Sequence, residues 1–345
     1  MKSARFYGTR DVRIEEVVLP PLKEDDVKIE VEWCGLCGSD KGLYEKPFTR
    51  SVFTPGHEFS GTVCEIGSAV TQCKPGDRVI VNPLFTCGKC LSCRKGFPNL
   101  CENLVLYGLS GISGAFAEET TVKENMVVKI PDALPFDIAA VAEPTCIAAH
   151  ALRVSKFKPG DTAAVFGTGQ IGLLLINLLK ISGCTKIIAV SRTASKLDLA
   201  LKMGAHAVIR PDEVDAAEKI MEISGGVDLA FELSGAQQSF SSALAALRAR
   251  GELVVISLPA KPISFDVMPA LHKELSILTS QCSNGEFPIV AELLADGSVA
   301  AGEIVTKKIH LDDIVKEGYE TLLSDPTQLK ILVTPKRENM AASAR

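Results

Sequence analysis

The chain has 345 residues, of which 46% are apolar and 23% charged. That balance excludes a disordered chain, which could not bury enough apolar surface to offset its ordering entropy. Thirty-seven basic residues against 42 acidic ones leave a net charge of −5, so there is no general attraction for a phosphate backbone and nucleic acid is not expected as a partner. The length points to two domains.

In chain order, the first residues lack the apolar run of a secretory signal, and a cytoplasmic location is expected. Val27, Ile29, Val31 and Trp33 alternate with Lys28, Glu30 and Glu32, the period-two pattern of a half-buried strand. Residues 62–66 and 78–81 read as further short strands. The turns Thr54-Pro55-Gly56 and Lys74-Pro75-Gly76-Asp77 punctuate them. Short strands with such turns predict a barrel-like β domain. Four of the eleven cysteines, Cys87, Cys90, Cys93 and Cys101, fall within fifteen residues. Four thiolates at this spacing suit a closed tetrahedral Zn²⁺ site of structural type, with an iron–sulfur cluster as the rival reading.

Near residue 140 the pattern changes. Residues 139–152 read as an Ala-rich helix. After the turn Lys158-Pro159-Gly160-Asp161, strands are expected at 162–166, 186–190, 207–209, 228–231, 253–257 and 275–279. Helices are expected at 170–182, 194–203, 214–224 and 237–247. The alternation is the signature of a parallel, doubly wound α/β sheet. The most apolar helix segment, 171–181, is too short to span a bilayer, which needs about 20 apolar residues, and no membrane partner is expected. From about residue 285 the elements are mixed and are expected to return to the first domain. The tail, 336–345, is polar and expected to fray.

Gly167-Thr168-Gly169-Gln170-Ile171-Gly172 is a G-x-G-x-x-G turn between an expected strand and helix. Gly167 permits the tight turn, Gly169 lets the backbone approach a pyrophosphate, and Gly172 allows close helix packing. The free N–H groups of the helix start favour the anion. The next strand ends in Ser191-Arg192-Thr193, with no acid before Asp198. An acid there would accept from an NAD ribose and repel a 2′-phosphate. Ser191 removes that repulsion, while Arg192 and Lys196 offer cations, so NADP(H) is expected over NAD(H).

A dispersed set completes the candidates: Cys37 in Cys34-Gly35-Leu36-Cys37-Gly38-Ser39-Asp40, His57 and Glu58 in Gly56-His57-Glu58, and Glu143 in Ala142-Glu143-Pro144. Taken singly they read as a buried thiol, a turn histidine and surface acids. With the cysteine lobe and the glycine turn, in this order, the chain resembles the zinc-dependent medium-chain alcohol dehydrogenases over nearly its full length. The Glu143-Pro144 pair, in place of a cysteine ligand, is similar to the polyol branch: sorbitol, butanediol and threonine dehydrogenases.

The resemblance implies a GroES-like catalytic β domain over residues 1–150, a Rossmann dinucleotide-binding domain over 151–284, and a return to the catalytic domain over 285–345. It implies two zinc ions per chain. The catalytic ion would be held by Cys37 and His57 with Glu58 or Glu143 completing the set, and the structural one by the four-cysteine lobe. Zinc would polarise an alcohol or ketone oxygen while NADP(H) exchanges the hydride. Ser39 would pass the alcohol proton onward. The relay histidine usual three residues later is Gly42 here, so water or Glu58 would replace it. Tyr44 matches a substrate-lining position, with a packed aromatic as the equal alternative. His150, His206, His272 and His310 read as structural or surface residues, and Glu232 is expected to shape the cofactor cleft. No arginine lies around Ser280-Gln281-Cys282, where the sorbitol enzymes often carry one that meets the polyol.

The expected function is hydride transfer between NADP(H) and a secondary alcohol or ketone, a polyol or vicinal diol. The alternatives are an NAD-dependent sugar- or amino-alcohol dehydrogenase and a non-catalytic NADPH-binding sensor or scaffold. A homodimer or homotetramer is expected, with the last strand of the nucleotide sheet, an exposed edge, pairing across a two-fold axis.

Overall fold

A computed structural model describes residues 1–343 except Phe48 and Arg50. The chain forms two compact units. The first comprises residues 1–143, 284–297 and 304–345, and the second comprises 144–283 and 298–303. The chain passes between them at Glu143–Pro144. The short return of 298–303 to the second unit is fastened by Ala300, whose N–H donates to Asn177 Oδ1 at 2.9 Å.

The first unit is built on a seven-stranded sheet with the order Val305–His310, Lys330–Thr334, Asp26–Leu36, Glu58–Ile66, Arg78–Val81 and Val127–Lys129, while Glu119–Lys123 also pairs with Asp26–Leu36. The alternating strand delivers Val27, Ile29 and Val31, each fully buried, into a core with Phe6, Phe53 and Phe116. Burying such side chains contributes about 1.5–3 kcal/mol apiece. The hairpin Lys2–Gly8 with Asp11–Glu16 is missed by the sequence pattern because each strand offers only two alternating apolar positions, Ala4 and Phe6 in one and Val12 and Ile14 in the other.

Two further differences have local causes. The helix expected at 139–152 is split into Phe136–Ala139 and Ala142–Val154. Pro144, which lacks an N–H, is accommodated in the first turn of the second helix, where that donor is not needed. The tail is a helix, Arg337–Ser343, rather than a frayed end. Lys336 Nζ pairs with Glu32 at 2.6 Å and Glu30 at 3.2 Å, Asn339 Nδ2 donates to Glu32 Oε2 at 3.0 Å, and Met340 packs on the cluster around Trp33.

The second unit holds a six-stranded parallel sheet ordered Ala207–Ile209, Lys186–Val190, Thr162–Phe166, Val227–Glu232, Leu247–Val255 and Ser276–Thr279. In chain order this is 3-2-1-4-5-6, the doubly wound arrangement whose switch point lies beside the first strand. The helix expected at 237–247 ends at Ala245, and the next strand begins at once with Leu247, paired with Val227. Among the described residues no helix is long and apolar enough to cross a membrane.

Candidate active site

In the first unit, one ligand atom from each of Cys37, His57 and Glu58 lies within 4.8 Å of the others. Cys37 caps the helix Gly38–Glu45, and its N–H donates to Asp40 Oδ2 at 2.9 Å. His57 and Glu58 leave the turn at Gly56 and open the strand Glu58–Ile66. Gly56 has φ +101°, and a Cβ there would lie 2.9 Å from Cys34 Sγ and from the Phe116 backbone nitrogen, so only glycine permits the turn.

Glu58 is fully buried and faces Gly35 across the strand pair. The missing side chain matters, because a Cβ on Gly35 would lie 2.6 Å from Glu58 Oε2 and 3.0 Å from Lys330 Cδ. Into this space comes Lys330, also fully buried, whose Nζ donates to Glu58 Oε2 and, at 3.1 Å, to the Leu36 carbonyl. Burial presses the lysine pKa down, but the charges of Glu58, Cys37 and Glu143 outweigh it and hold the ammonium above its ordinary range. One carboxylate oxygen of Glu58 is thus committed. Its Oε1 is buried with no hydrogen-bond partner among the described residues, as are His57 Nδ1, Asp40 Oδ1 and Ser39 Oγ.

His57 Nδ1 stands 3.8 Å from Asp40 Oδ1. Burial would lower the imidazole pKa, but Asp40, Cys37 and Glu58 together hold it well above its ordinary value. Burial pushes Asp40 itself up to about 6. Glu143, half-buried in the first turn of Ala142–Val154, is pushed up to about 7 by burial and by the Glu58 charge. It stands outside the 4.8 Å set. A soft sulfur, an imidazole and a carboxylate with orphaned buried atoms form a donor set that holds a proton where a cation would serve, and it fits Zn²⁺.

The four-cysteine lobe also gathers its ligand atoms within 4.8 Å. The sulfurs of Cys87 and Cys101 are 3.5 Å apart and those of Cys90 and Cys101 3.9 Å apart. A tetrahedral ion with metal–sulfur bonds of about 2.3 Å places sulfurs about 3.8 Å apart. A disulfide needs about 2.05 Å, and an iron–sulfur cluster spreads its four thiolates over two or four irons, so they do not all lie this close together. The N–H groups of Lys89 and Cys90 draw the Cys87 thiol down to about 6, while burial and the adjacent sulfurs push Cys93 up to about 12. Thiolates crowded in this way call for a cation.

In the second unit, a cavity of about 510 Å³ is lined by Gly167, Thr168 and Gly169, by Ser191, Arg192 and Lys196, and by the loop 233–236 in part. Gly167 has φ +110°, and a Cβ on Gly172 would collide with the Gly167 carbonyl, whereas Gly169 has open space. Thr168 Oγ1 is buried without a partner among the described residues. Open backbone, an orphan hydroxyl and the start of the helix Gln170–Ile181 form a cradle that fits a pyrophosphate.

Three residues add to the sequence reading. Tyr44 is 2% exposed, stacks on Tyr319 at 4.6 Å and donates its hydroxyl to Glu320 at 2.9 Å. It is packed in the core of the first unit. Asp212, beyond the third strand, lines the nucleotide cavity and adds one acid near the two cations. Lys330 is not among the candidates that the sequence offers. Its only signal is a single charge heading the apolar strand Lys330–Thr334. Asp40 stood in view in the cysteine loop, and its burial beside His57 supplies the role that the motif alone does not. Ile171 and Gln170 begin the helix after the turn, and Gly42 has open space where a Cβ would stand.

Family models described as "Alcohol dehydrogenase GroES-like domain" and "Zinc-binding dehydrogenase" match residues 23–132 and 171–296. The (R,R)-butanediol dehydrogenase of Bacillus subtilis is 38% identical over 350 residues, covering 97% of this chain and 100% of that one. The sorbitol dehydrogenase of the same organism is 34% identical over 351 residues, covering 98% of each. A crystal structure described as a zinc-binding dehydrogenase from Sinorhizobium meliloti 1021, bound to NADP, superposes with a TM-score of 0.90 at 31% identity, covering 97% of this chain and 99% of that one.

Proposed function

The chain belongs to the zinc-dependent medium-chain alcohol dehydrogenases, in the polyol branch, and on that footing we propose that it transfers a hydride between NADP(H) and a secondary alcohol or ketone of vicinal-diol type. The carrying observation is the convergence of Cys37, His57 and Glu58 with the orphaned Oε1 of Glu58. Zinc bound there supplies a Lewis acid for the substrate oxygen, and the nicotinamide supplies the hydride acceptor or donor.

The chain's own residues do the rest. Cys37 and His57 are ligands, and Glu58 rather than Glu143 is the carboxylate in reach of them. Asp40 faces His57 Nδ1, which leaves the other ring nitrogen for the metal. Lys330 offsets part of the negative charge, so two acids and a thiolate do not neutralise the ion and blunt its Lewis acidity. Ser39 Oγ, buried and unpartnered, takes the alcohol proton, and the open space at Gly42 admits a water to carry it on. The Cys87, Cys90, Cys93 and Cys101 lobe holds a second, structural zinc.

Cofactor preference rests on Ser191, Arg192 and Lys196 in the nucleotide cavity. Two cations outweigh Asp212, and the relative bound to NADP supports the reading. We place a homo-oligomeric contact at the edge strand Ser276–Thr279, near which Val267, Leu271 and Ile277 are exposed. The test is nicotinamide absorbance over a panel of polyols, diols and ketones with both cofactors, together with zinc content per chain. Turnover of diols with NADP(H) and two ions per chain supports the proposal. One ion per chain after reconstitution, with no turnover, would leave a nucleotide-binding scaffold.

A further inference from the structure

Glu232 ends the strand Val227–Glu232 and is 1% exposed. No ion pair to it is found among the described residues, yet five donors converge on its carboxylate. Oε1 accepts from the Ser234 N–H at 2.8 Å, the Ser234 hydroxyl at 2.7 Å, the Gly235 N–H at 3.1 Å and the Ser239 hydroxyl at 2.8 Å. Oε2 accepts from the Ser257 hydroxyl at 2.5 Å and shares the Gly235 N–H at 3.2 Å. The backbone continues the same fastening. The Leu233 N–H donates to the Phe166 carbonyl at 2.9 Å, and the N–H groups of Ile256 and Ser257 donate to the Glu232 carbonyl.

The loop held in this way runs directly behind the glycine turn. A Cβ on Gly167 would lie 3.2 Å from the Ser234 nitrogen and 3.3 Å from the Leu233 carbonyl carbon. Leu233, Ser234, Ala236 and Ser239 line the nucleotide cavity, whereas Glu232 and Ser257 are not among its lining residues. The carboxylate therefore turns its charge away from an anionic ligand, while its acceptors fix the wall that the ligand meets.

We propose that Glu232 is a positioning residue for the dinucleotide, fixing the loop 233–236 against Gly167 so that the cavity is formed before the cofactor arrives. The inference rests on the nucleotide-site reading above. A preformed wall spares the ordering of a loop on binding, so its loss is read as weaker affinity rather than slower chemistry. Buried backbone donors without an acceptor are costly, so a loop stripped of Glu232 moves to find other partners.

The experiment compares wild type with Glu232→Gln and Ser257→Ala. Ser257 does not line the cavity and its hydroxyl donates to Glu232, so its variant disturbs the carboxylate without removing a cavity-lining residue. It also serves as the measurable variant should Glu232→Gln fail to fold. The readouts are the NADPH dissociation constant by fluorescence titration, hydrogen exchange of the loop amides, and steady-state kinetics. For Glu232→Gln we expect at least fivefold weaker NADPH binding, exchange at Ser234 and Gly235 faster by a similar factor or more, and a raised cofactor KM. The kcat and the alcohol KM should stay within twofold. Ser257→Ala should shift affinity the same way by about twofold to threefold. Unchanged NADPH affinity in both variants, or a fall in kcat with an unchanged cofactor KM, overturns the positioning role alone. A wild-type chain that binds neither dinucleotide overturns the cofactor site and this inference together.

Discussion

Replacing Lys330 by methionine keeps the length of the side chain and removes its charge. Lys330 and Glu58 are both fully buried, so solvent does not screen them. At an ordinary ion-pair separation of about 2.8 Å and an effective dielectric of about 20, their attraction is about 6 kcal/mol before desolvation. Removing one partner of such a pair costs about 3–5 kcal/mol, because the other is left buried and unpaired. The lost bond to the Leu36 carbonyl lies within that range. For a unit of roughly 200 residues, the metal-free chain should melt about 6–20 °C lower. The double variant Lys330→Met/Glu58→Gln should be less destabilised than Lys330→Met alone, because no unpaired charge remains. Zinc affinity should move in the opposite direction: with both Glu58 oxygens released, Lys330→Met should hold the catalytic ion at least as tightly and turn over more slowly. The assays are calorimetric melting with and without zinc, chelator competition, and kcat. A Lys330→Met chain melting within about 2 °C of wild type, or a double variant no more stable than the single one, would refute the charge-pair reasoning.

Arg192→Ala should raise the KM for NADPH about tenfold to a hundredfold, the worth of a charge-assisted phosphate contact, and leave that for NADH nearly unchanged; equal effects on both would remove Arg192 from cofactor choice. Ser39→Ala should lower kcat about a hundredfold with zinc content intact, and near-full turnover would exclude Ser39 from the proton path. Because His57 is held above its ordinary pKa in the metal-free fold, loading zinc at neutral pH should release its proton. Affinity should therefore rise with pH, by up to about tenfold per unit for each proton released, as read by calorimetry in buffers of different ionisation enthalpy. In the metal-free chain the same shift stabilises the fold fully below about pH 6.5, and that contribution is lost as the pH climbs through the higher folded value.

What could be read beforehand was local. The cysteine lobe and the glycine turn each occupy one short stretch, so spacing alone brings their atoms together. The strand–helix alternation likewise announces the parallel sheet, because each element contributes its own periodicity. Lys330 reaches Glu58 across 272 residues of sequence, and only the pairing of Leu36 with Ile331 and of Gly35 with Glu58 places the two face to face. A single-residue slip in either register would turn them apart. Tyr44 is set the same way, since its partners, Tyr319 and Glu320, come from the far end of the chain. Asp212 joins Arg192 in lining the nucleotide cavity through the fold and not through proximity along the chain.

Because Lys330 lies 272 residues beyond Glu58, the buried pair forms long after Glu58 has been synthesised. At about 5–20 residues per second, Lys330 follows Glu58 from the ribosome by about 15–55 seconds. Through that interval the nascent Glu58 lacks its ammonium, and the Cys34–Leu36 end of the strand Asp26–Leu36 lacks the neighbour that Ile331–Val333 provides, while Glu119–Lys123 already pairs with its Asp26–Glu30 end. A chain halted after the nucleotide unit would carry the glycine turn and its cavity but not the Lys330–Glu58 pair.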